Sequence, residues 1–179
     1  MITCPSGVVK GTLIQALLER CPGLELSVSA PTRAPRPGEH DGREYHFLDQ
    51  EEFTERVRRG EFVEHAVYAG HRYGTLRSEL ERPARGIVLE IDLQGARQVR
   101  QSLPQATQVF IAPPSLEDLR RRLEGRGSDS PEQIARRLEV APTELAAKQE
   151  FSCVVVNDEL DRALAELMDL AASMCGPDD

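Results

Sequence analysis

The sequence predicts an α/β fold in which a parallel sheet is covered by helices. Three observations lead there. Strand-like and helix-like segments alternate along most of the 179 residues. The segments "GIVLEID", "TQVFIA" and "CVVVN" are mostly apolar, as strands buried on both faces are. The first strand-to-helix turn, "TCPSGVVKGT" (Thr3 to Thr12), has the frame of a phosphate-cradling loop, and parallel sheets bind ligands at the carboxyl ends of their strands.

The elements follow in order. Met1 to Thr3 reads as the last part of a strand. "GTLIQALLER" is a helix with Leu13, Ile14, Leu17 and Leu18 on one face. "LELSVS" alternates at period two and reads as one strand. "DQEEFTERVRRG" is a helix ended by Gly60. "EFVEHAVYAG" is strand-like, and "GIVLEID" is a strand followed by the helical "LQGARQVRQS". "TQVFIA" is a buried strand, then "PSLEDLRRRLEG" a helix with Ser115 as N-cap. "SPEQIARRLEV" starts a helix with Ser130 as N-cap, Pro131 at the first helical position and Gln133 three residues after the cap. The strand "CVVVN" and a helix from Leu160 to Met174 complete the chain, and "CGPDD" reads as a frayed end.

The section from about Pro31 to Arg85 breaks the alternation. It is polar, holds all four histidines and all three tyrosines, and reads as an inserted lobe. The domain expectation is a single domain, 1–179. Its core is 1–30, 86–125 and 150–179, and its lobe about 31–85.

Composition narrows the function. With 40% apolar and 29% charged residues, the chain is that of an ordinary soluble globular protein. No apolar run approaches the roughly 20 residues of a membrane span, and no charged-then-apolar leader marks it for secretion. Cys4, Cys21, Cys153 and Cys175 form no C-x-x-C pair, which argues against zinc and disulfides and for a reduced cytoplasm. The net charge of −8 argues against nucleic acid as a partner. Only Lys10 and Lys148 are lysines, and Lys10 sits in the phosphate-loop frame.

In such a loop, backbone N–H groups and a helix N-terminus face the phosphates, a lysine reaches the outer ones and a hydroxyl holds Mg²⁺. Pro5, Ser6, Gly7, Val8, Val9, Lys10, Gly11 and Thr12 fill the frame, but a G-x-x-x-x-G-K-[ST] loop has glycine at the positions of Cys4 and Val9. Read alone, the stretch is a nucleotide site or a plain turn capping a helix. "LSVSAPTRAPRPGEHDGREYHF" then brings Ser29, Arg33, Arg36 and Tyr45 into one loop-rich stretch. Two arginines three apart beside hydroxyls make a phosphate clamp, because each guanidinium binds oxygens bidentately. "GEFVEHAVYAGHRYGT" adds Glu64, Tyr73 and Thr75. A carboxylate accepts from both N1–H and the 2-amino group of guanine, a pair that adenine lacks. Arg120, Arg121, Arg122 and Arg136 read as solvated helix-face charges, and Tyr45 is open to a second reading as a lobe-core aromatic.

These motifs, with "LEIDLQGARQV", "PPSLEDLRRRLEGRGSDS", "IARRL" and "VVVND", closely resemble guanylate kinase over nearly the whole chain. The resemblance implies a P-loop nucleoside-monophosphate kinase fold: a parallel core sheet, a GMP-binding lobe and a helical lid. It implies transfer of the γ-phosphoryl group of ATP to GMP, with Mg²⁺, in the cytoplasm. By position, Ser29, Arg33, Arg36, Tyr45 and Tyr73 are implied as ligands of the GMP phosphate, and Glu64 and Thr75 as readers of guanine. The resemblance further implies that Asp92 lies near metal and substrate, that Lys10, Arg126 and Arg137 serve the transferring group, that Thr12 serves Mg²⁺, that Asn157 lies at the adenine pocket, and that about 126–149 forms the lid. Monomer and homo-oligomer both remain open.

Four departures bear on activity. Cys4 and Val9 replace loop glycines, Pro31 replaces a threonine and removes an N–H expected near the GMP phosphate, and Pro142 falls inside a helix, where proline costs roughly 3 kcal/mol or a kink. The first strand is also several residues shorter than in that family. The alternative reading is a catalytically inactive guanylate-kinase-like module that binds GMP or a phosphopeptide. A shikimate- or adenylate-type kinase is disfavoured by Glu64 and the arginine clamp.

Overall fold

The computed structural model describes residues 1–5, 10–68, 70–125 and 130–175. In chain order its elements are β1 (Ile2–Thr3), α1 (Lys10–Arg20), β2 (Leu24–Leu26), β3 (Ser29–Pro31), α2 (Gln50–Arg58), β4 (Phe62–Tyr68), β5 (His71–Leu76), β6 (Gly86–Val88), α3 (Leu93–Ser102), β7 (Val109–Ala112), α4 (Leu116–Gly125), α5 (Pro131–Ala146), β8 (Cys153–Val156) and α6 (Leu160–Cys175). Single 3₁₀ turns cover Arg77–Glu81 and Ala147–Glu150. Two units form, one from Ile2–Leu24 and Thr107–Asp179, the other from Met1 and Glu25–Ala106.

The first unit carries the parallel sheet, in the order β1-β7-β8. Ile2 pairs with Val109 and Thr3 with Phe110, while Val109 to Ala112 run beside Cys153 to Val156. All four β7 residues are buried, as its unbroken apolar run predicts. α1 and α6 pack together. α1 buries Leu13, Ile14 and Leu17, and α6 buries Ala163, Leu164, Leu167 and Ala171. Both spacings put one apolar stripe inward. α4 opens on Ser115, whose hydroxyl accepts the Asp118 N–H at 3.0 Å. α5 opens on the predicted capping box of Ser130 and Gln133. It then runs through Pro142 to Ala146 without ending, so the proline removes one hydrogen-bond donor and does not terminate the helix.

The second unit holds an antiparallel sheet, β3-β5-β4, and the two-stranded pair β2-β6. Phe53 of α2 stacks on Phe62 of β4 at 4.4 Å, and Ala30 and Leu76 close this small core. The side chain of Asp49 caps α2 by accepting the Glu52 N–H at 2.7 Å. Gly60 follows the helix at φ +69, a left-handed conformation that glycine adopts without strain.

Three strand expectations change here. "LELSVS" is two strands, because Ser27 donates its N–H to the Val88 carbonyl at 3.0 Å and Val28 donates to the Glu79 carboxylate at 2.7 Å. "GIVLEID" stops being a strand at Val88. "HRYGTL", polar and glycine-bearing, is the central strand β5 that both β3 and β4 pair with.

β4 is an edge strand of its sheet, and α3 covers that edge with side chains. The Gln98 amide accepts the His65 N–H at 3.0 Å and donates to the His65 carbonyl at 2.6 Å, and the Ser102 hydroxyl donates to the Val63 carbonyl at 3.0 Å. Gln98 thus stands in for a neighbouring strand. Gln98→Ala is expected to cost about 1–3 kcal/mol, the penalty of two part-buried backbone groups losing partners. Urea unfolding measures it, and an unchanged midpoint would show that water replaces the amide at no cost.

Candidate active site

Three of the predicted residues meet through strand register. Ser29 of β3 lies opposite Thr75 of β5, and Thr75 opposite Glu64 of β4, so the three form one row across the sheet. A bulge makes this row possible. Phe62 pairs with Leu76 but Glu64 with Thr75, which leaves Val63 as an extra residue in β4. Unbulged, the ladder would set Glu64 opposite Gly74 and turn it to the other face from Thr75. With the bulge, the Thr75 hydroxyl donates to Glu64 Oε1 at 2.7 Å.

Glu64 is only 6% exposed and Thr75 1%. Burial above all pushes the Glu64 carboxyl up to about 7. The nearby charge of Asp92 raises it further, and the Thr75 hydrogen bond offsets part of the rise. Asp92 caps α3, its Oδ1 accepting the Gly95 N–H at 2.8 Å. This places a helix-capping carboxylate beside the buried one.

The clamp residues lie in the same unit. Arg33 is buried and bound bidentately by Glu39, at 2.6 and 2.8 Å. Its guanidinium carbon lies 4.8 Å from the Tyr45 ring centroid, and Tyr45 is in turn 5.6 Å from Phe47. Tyr45 is therefore a platform under the arginine. Glu39 above all, by its hydrogen bonds, raises the Arg33 pKa, and a hydrogen bond to Tyr73 adds to the rise. In return Arg33 holds Glu39 down at about 2. Arg36 donates its backbone N–H to Glu39 at 2.8 Å and leaves its side chain exposed.

Pro31 pairs with Tyr73. Its flanking carbonyls show what its ring removes. The Ser29 carbonyl accepts from His46 at 2.9 Å and the Pro31 carbonyl from Leu48 at 3.1 Å, which is a parallel pairing register. The rung missing between them is the one residue 31 would donate to the His46 carbonyl. The lost N–H thus belongs to this backbone pairing and not to a phosphate contact.

The donor-side residues lie in the other unit. Pro5 is buried just after β1, Lys10 opens α1, and Gly11 and Thr12 are exposed in its first turn. Ser6, Gly7, Val8, Val9 and Arg126 lie outside the described residues. Arg137 is half-buried on α5. Asn157 is buried, its N–H donated to the Ala112 carbonyl at 2.8 Å. Arg122, read from sequence as a solvated charge, is instead half-buried and donates Nη2 to the Asn157 carbonyl at 2.7 Å. Its Nη1 is buried without a hydrogen-bond partner among the described residues.

Two further groups carried no sequence signal. Glu39 anchors Arg33, and only its place in "RAPRPGEH" marks it. Glu79, 5% exposed, accepts from Val28 N–H at 2.7 Å and Arg82 at 3.0 Å and pairs with His46 Nε2 at 2.8 Å. It ties the start of β3 to the segment carrying Tyr45.

The family model described as guanylate kinase matches residues 1–174. The chain belongs to the guanylate kinase family. The guanylate kinase of Frankia casuarinae is 57% identical over 173 residues, which is 95% of this chain and 94% of that protein. The guanylate kinase of a Synechococcus species is 55% identical over 170 residues, 93% of this chain and 90% of the other. Among solved structures, guanylate kinase from Anaplasma phagocytophilum superposes with a TM-score of 0.75 at 32% identity, covering 97% of this chain and 84% of that one.

The buried carboxyl has a consequence for stability. The Glu64 pKa is about 7 when folded, against 4.5 for the free group. Between those values the folded protein holds a proton that the unfolded chain releases. This group's contribution to stability therefore falls as pH rises from about 4.5 to about 7, and stays low above it. Glu64→Gln is expected to stabilise the ligand-free protein at pH 8 by about 1–3 kcal/mol and to have little effect at pH 4.5. Thermal melts at the two pH values check the sign, and an equal change at both would refute it.

Proposed function

We propose that this chain transfers the γ-phosphoryl group of ATP to GMP, giving ADP and GDP, as a small-molecule enzyme of the cytoplasm. One observation carries the choice of acceptor: a buried carboxylate, Glu64, held by Thr75 in the row that Ser29 begins. Ionised, Glu64 accepts from both donors of the guanine edge. With AMP in its place the carboxylate would face an unpaired edge, a mismatch that costs far more than a lost methylene contact. Ser29, Tyr45, Tyr73 and the Arg33–Arg36 pair supply the phosphate contacts, with Glu39 pre-orienting Arg33. Among the described residues, no helix is long and apolar enough to cross a membrane.

On the donor side, Lys10 reaches the outer phosphates, and Arg126 and Arg137 meet the transferring group. Asn157 and the adjoining Arg122 border the adenine. Phosphoryl transfer asks the protein mainly for positioning and charge cancellation, and these groups are suited to both. No cluster of three or more His, Cys, Asp or Glu among the described residues is arranged to hold a metal ion. Mg²⁺ takes few protein ligands and fills its sphere with phosphate oxygens and water. The exposed Thr12 hydroxyl would hold it, and bound there it would neutralise charge on the phosphates.

A coupled assay with ATP, Mg²⁺ and GMP, with AMP as control, tests the reading. Turnover with GMP and not AMP is expected, while GMP binding without turnover would favour the inactive binding module. Arg137→Ala should lower kcat by roughly 10³, on the scale of arginines in phosphoryl transfer, with little change in the GMP dissociation constant. An equal loss in binding would make Arg137 a substrate clamp. Cys4→Gly with Val9→Gly should raise kcat/KM for ATP at least tenfold, since each non-glycine residue in a strained loop position costs about 1–3 kcal/mol. GMP affinity should not move, and no gain in kcat/KM would mean that the loop reaches its phosphates by another backbone path.

A further inference from the structure

Gly95 occupies the first turn of α3, two residues after its start. It has no positive φ, so its backbone is one that any residue adopts. Alanine is the better helix former at such a position. The reason for glycine therefore lies outside the backbone. A Cβ built on Gly95 would stand 2.5 Å from Glu64 Oε2 and 3.1 Å from the carboxyl carbon. Contacts under 3.0 Å do not persist, so one partner would have to move. In the next rung, where Gly74 pairs with His65, a Cβ on Gly74 would stand 2.7 Å from the Glu64 carbonyl oxygen and 2.6 Å from Phe62 Cδ1. Glu64 is thus pressed between two bare Cα atoms, one against its backbone and one against its carboxylate.

Oε1 has its own tether, the Thr75 hydroxyl at 2.7 Å. Oε2 lies against Gly95. The carboxylate cannot retreat from an added methyl without stretching the Thr75 bond or rotating out of the plane it now holds. α3 is held against β4 by the Gln98 bonds to His65 at 3.0 and 2.6 Å and the Ser102 bond to the Val63 carbonyl at 3.0 Å, so the helix does not give way freely.

We propose that Gly95 is a specificity-positioning residue: its bare Cα is what lets the Glu64 carboxylate lie against α3 in the orientation that selects guanine over adenine. The proposal rests on the reading of Glu64 as the guanine reader. Gly95 itself touches no substrate and acts through Glu64 alone.

The test is a double-mutant cycle on nucleotide preference, with GMP and AMP as probes and calorimetry as the readout. Gly95→Ala is expected to reduce the GMP-over-AMP affinity ratio at least tenfold in the unmutated background. In the Glu64→Gln background, where the preference is already lost, it should change the ratio less than twofold. A purely structural role would cost the same in both backgrounds and would overturn the proposal. The pH profile gives a second readout. GMP affinity in the unmutated protein should rise as pH increases towards 7 and Glu64 ionises. In Gly95→Ala that rise should move to lower pH, because the displaced carboxyl is better solvated; an unmoved profile counts against the proposal. If Gly95→Ala does not fold, Gly95→Ala with Glu64→Asp decides, since the shorter acid withdraws the carboxylate by one methylene. Folding restored supports the steric cradle, and no restoration assigns Gly95 to the backbone of α3 instead. The two readings fail separately. If Glu64→Gln keeps the GMP preference, Glu64 is not the guanine reader. If Glu64→Gln loses the preference and Gly95→Ala keeps it, only the role of Gly95 falls.

Discussion

Burying a carboxylate is costly, and the unit from Glu25 to Ala106 is arranged around one. Desolvation alone would neutralise Glu64, and its pKa of about 7 places it at the boundary between acid and anion at physiological pH. A site built to read guanine needs the anion, because a protonated carboxyl offers a donor where the base also offers one. The protein accepts the cost partway. One hydroxyl, Thr75, favours the ionised form, while Asp92 opposes it. Two donors from a bound guanine edge would then complete the shell. Ligand and carboxylate are each poorly satisfied alone, and this mutual need makes discrimination steep.

The phosphate side solves a different problem. Phosphates carry their charge into water, so their partners need orientation more than burial. Arg33 gets it from Glu39, bidentate and short, and from the Tyr45 ring beneath it. Arg36 stays exposed beside the same carboxylate. Glu79 works one layer back, joining Val28 to His46 and so the strand of Ser29 to the segment of Tyr45. In each case an acidic residue orients a segment that the proposed reading gives to the phosphate.

Sequence reading reached the parts of this molecule that follow from local chemistry. The capping box at Ser130, the α1 stripe of Leu13, Ile14 and Leu17, and the buried run of β7 depend on neighbours a few residues away. Family motifs pointed to Glu64, Thr75 and the arginines. What escaped depends on register and on distant partners. β5 does not look like a strand because "HRYGTL" lacks an apolar pattern; it exists because β3 and β4 both pair with it. The bulge at Val63, which turns Glu64 towards Thr75, has no local signature. Arg122 stands between Leu119 and Leu123 at the border of the buried stripe of α4, where its stem is covered and its head reaches the Asn157 carbonyl.

Glycine is used here in two unlike ways, and the difference explains why the two halves of the function tolerate change differently. In a phosphate loop, glycine matters for the backbone angles it permits and for the close approach of N–H groups to oxygens. A residue with Cβ resists such angles, and Cys4 and Val9 stand where the family has glycine. In α3 the angles are ordinary and the glycine matters only for what sits against it. On the proposed reading, substitution in the loop would act on the donor nucleotide, and substitution in α3 on the identity of the acceptor base. Ser29, Glu64, Thr75 and Gly95 come from β3, β4, β5 and α3 of one unit, none of them shared with the loop. On the proposed reading, a change in the donor loop would therefore leave the row of Ser29, Thr75 and Glu64 chemically intact.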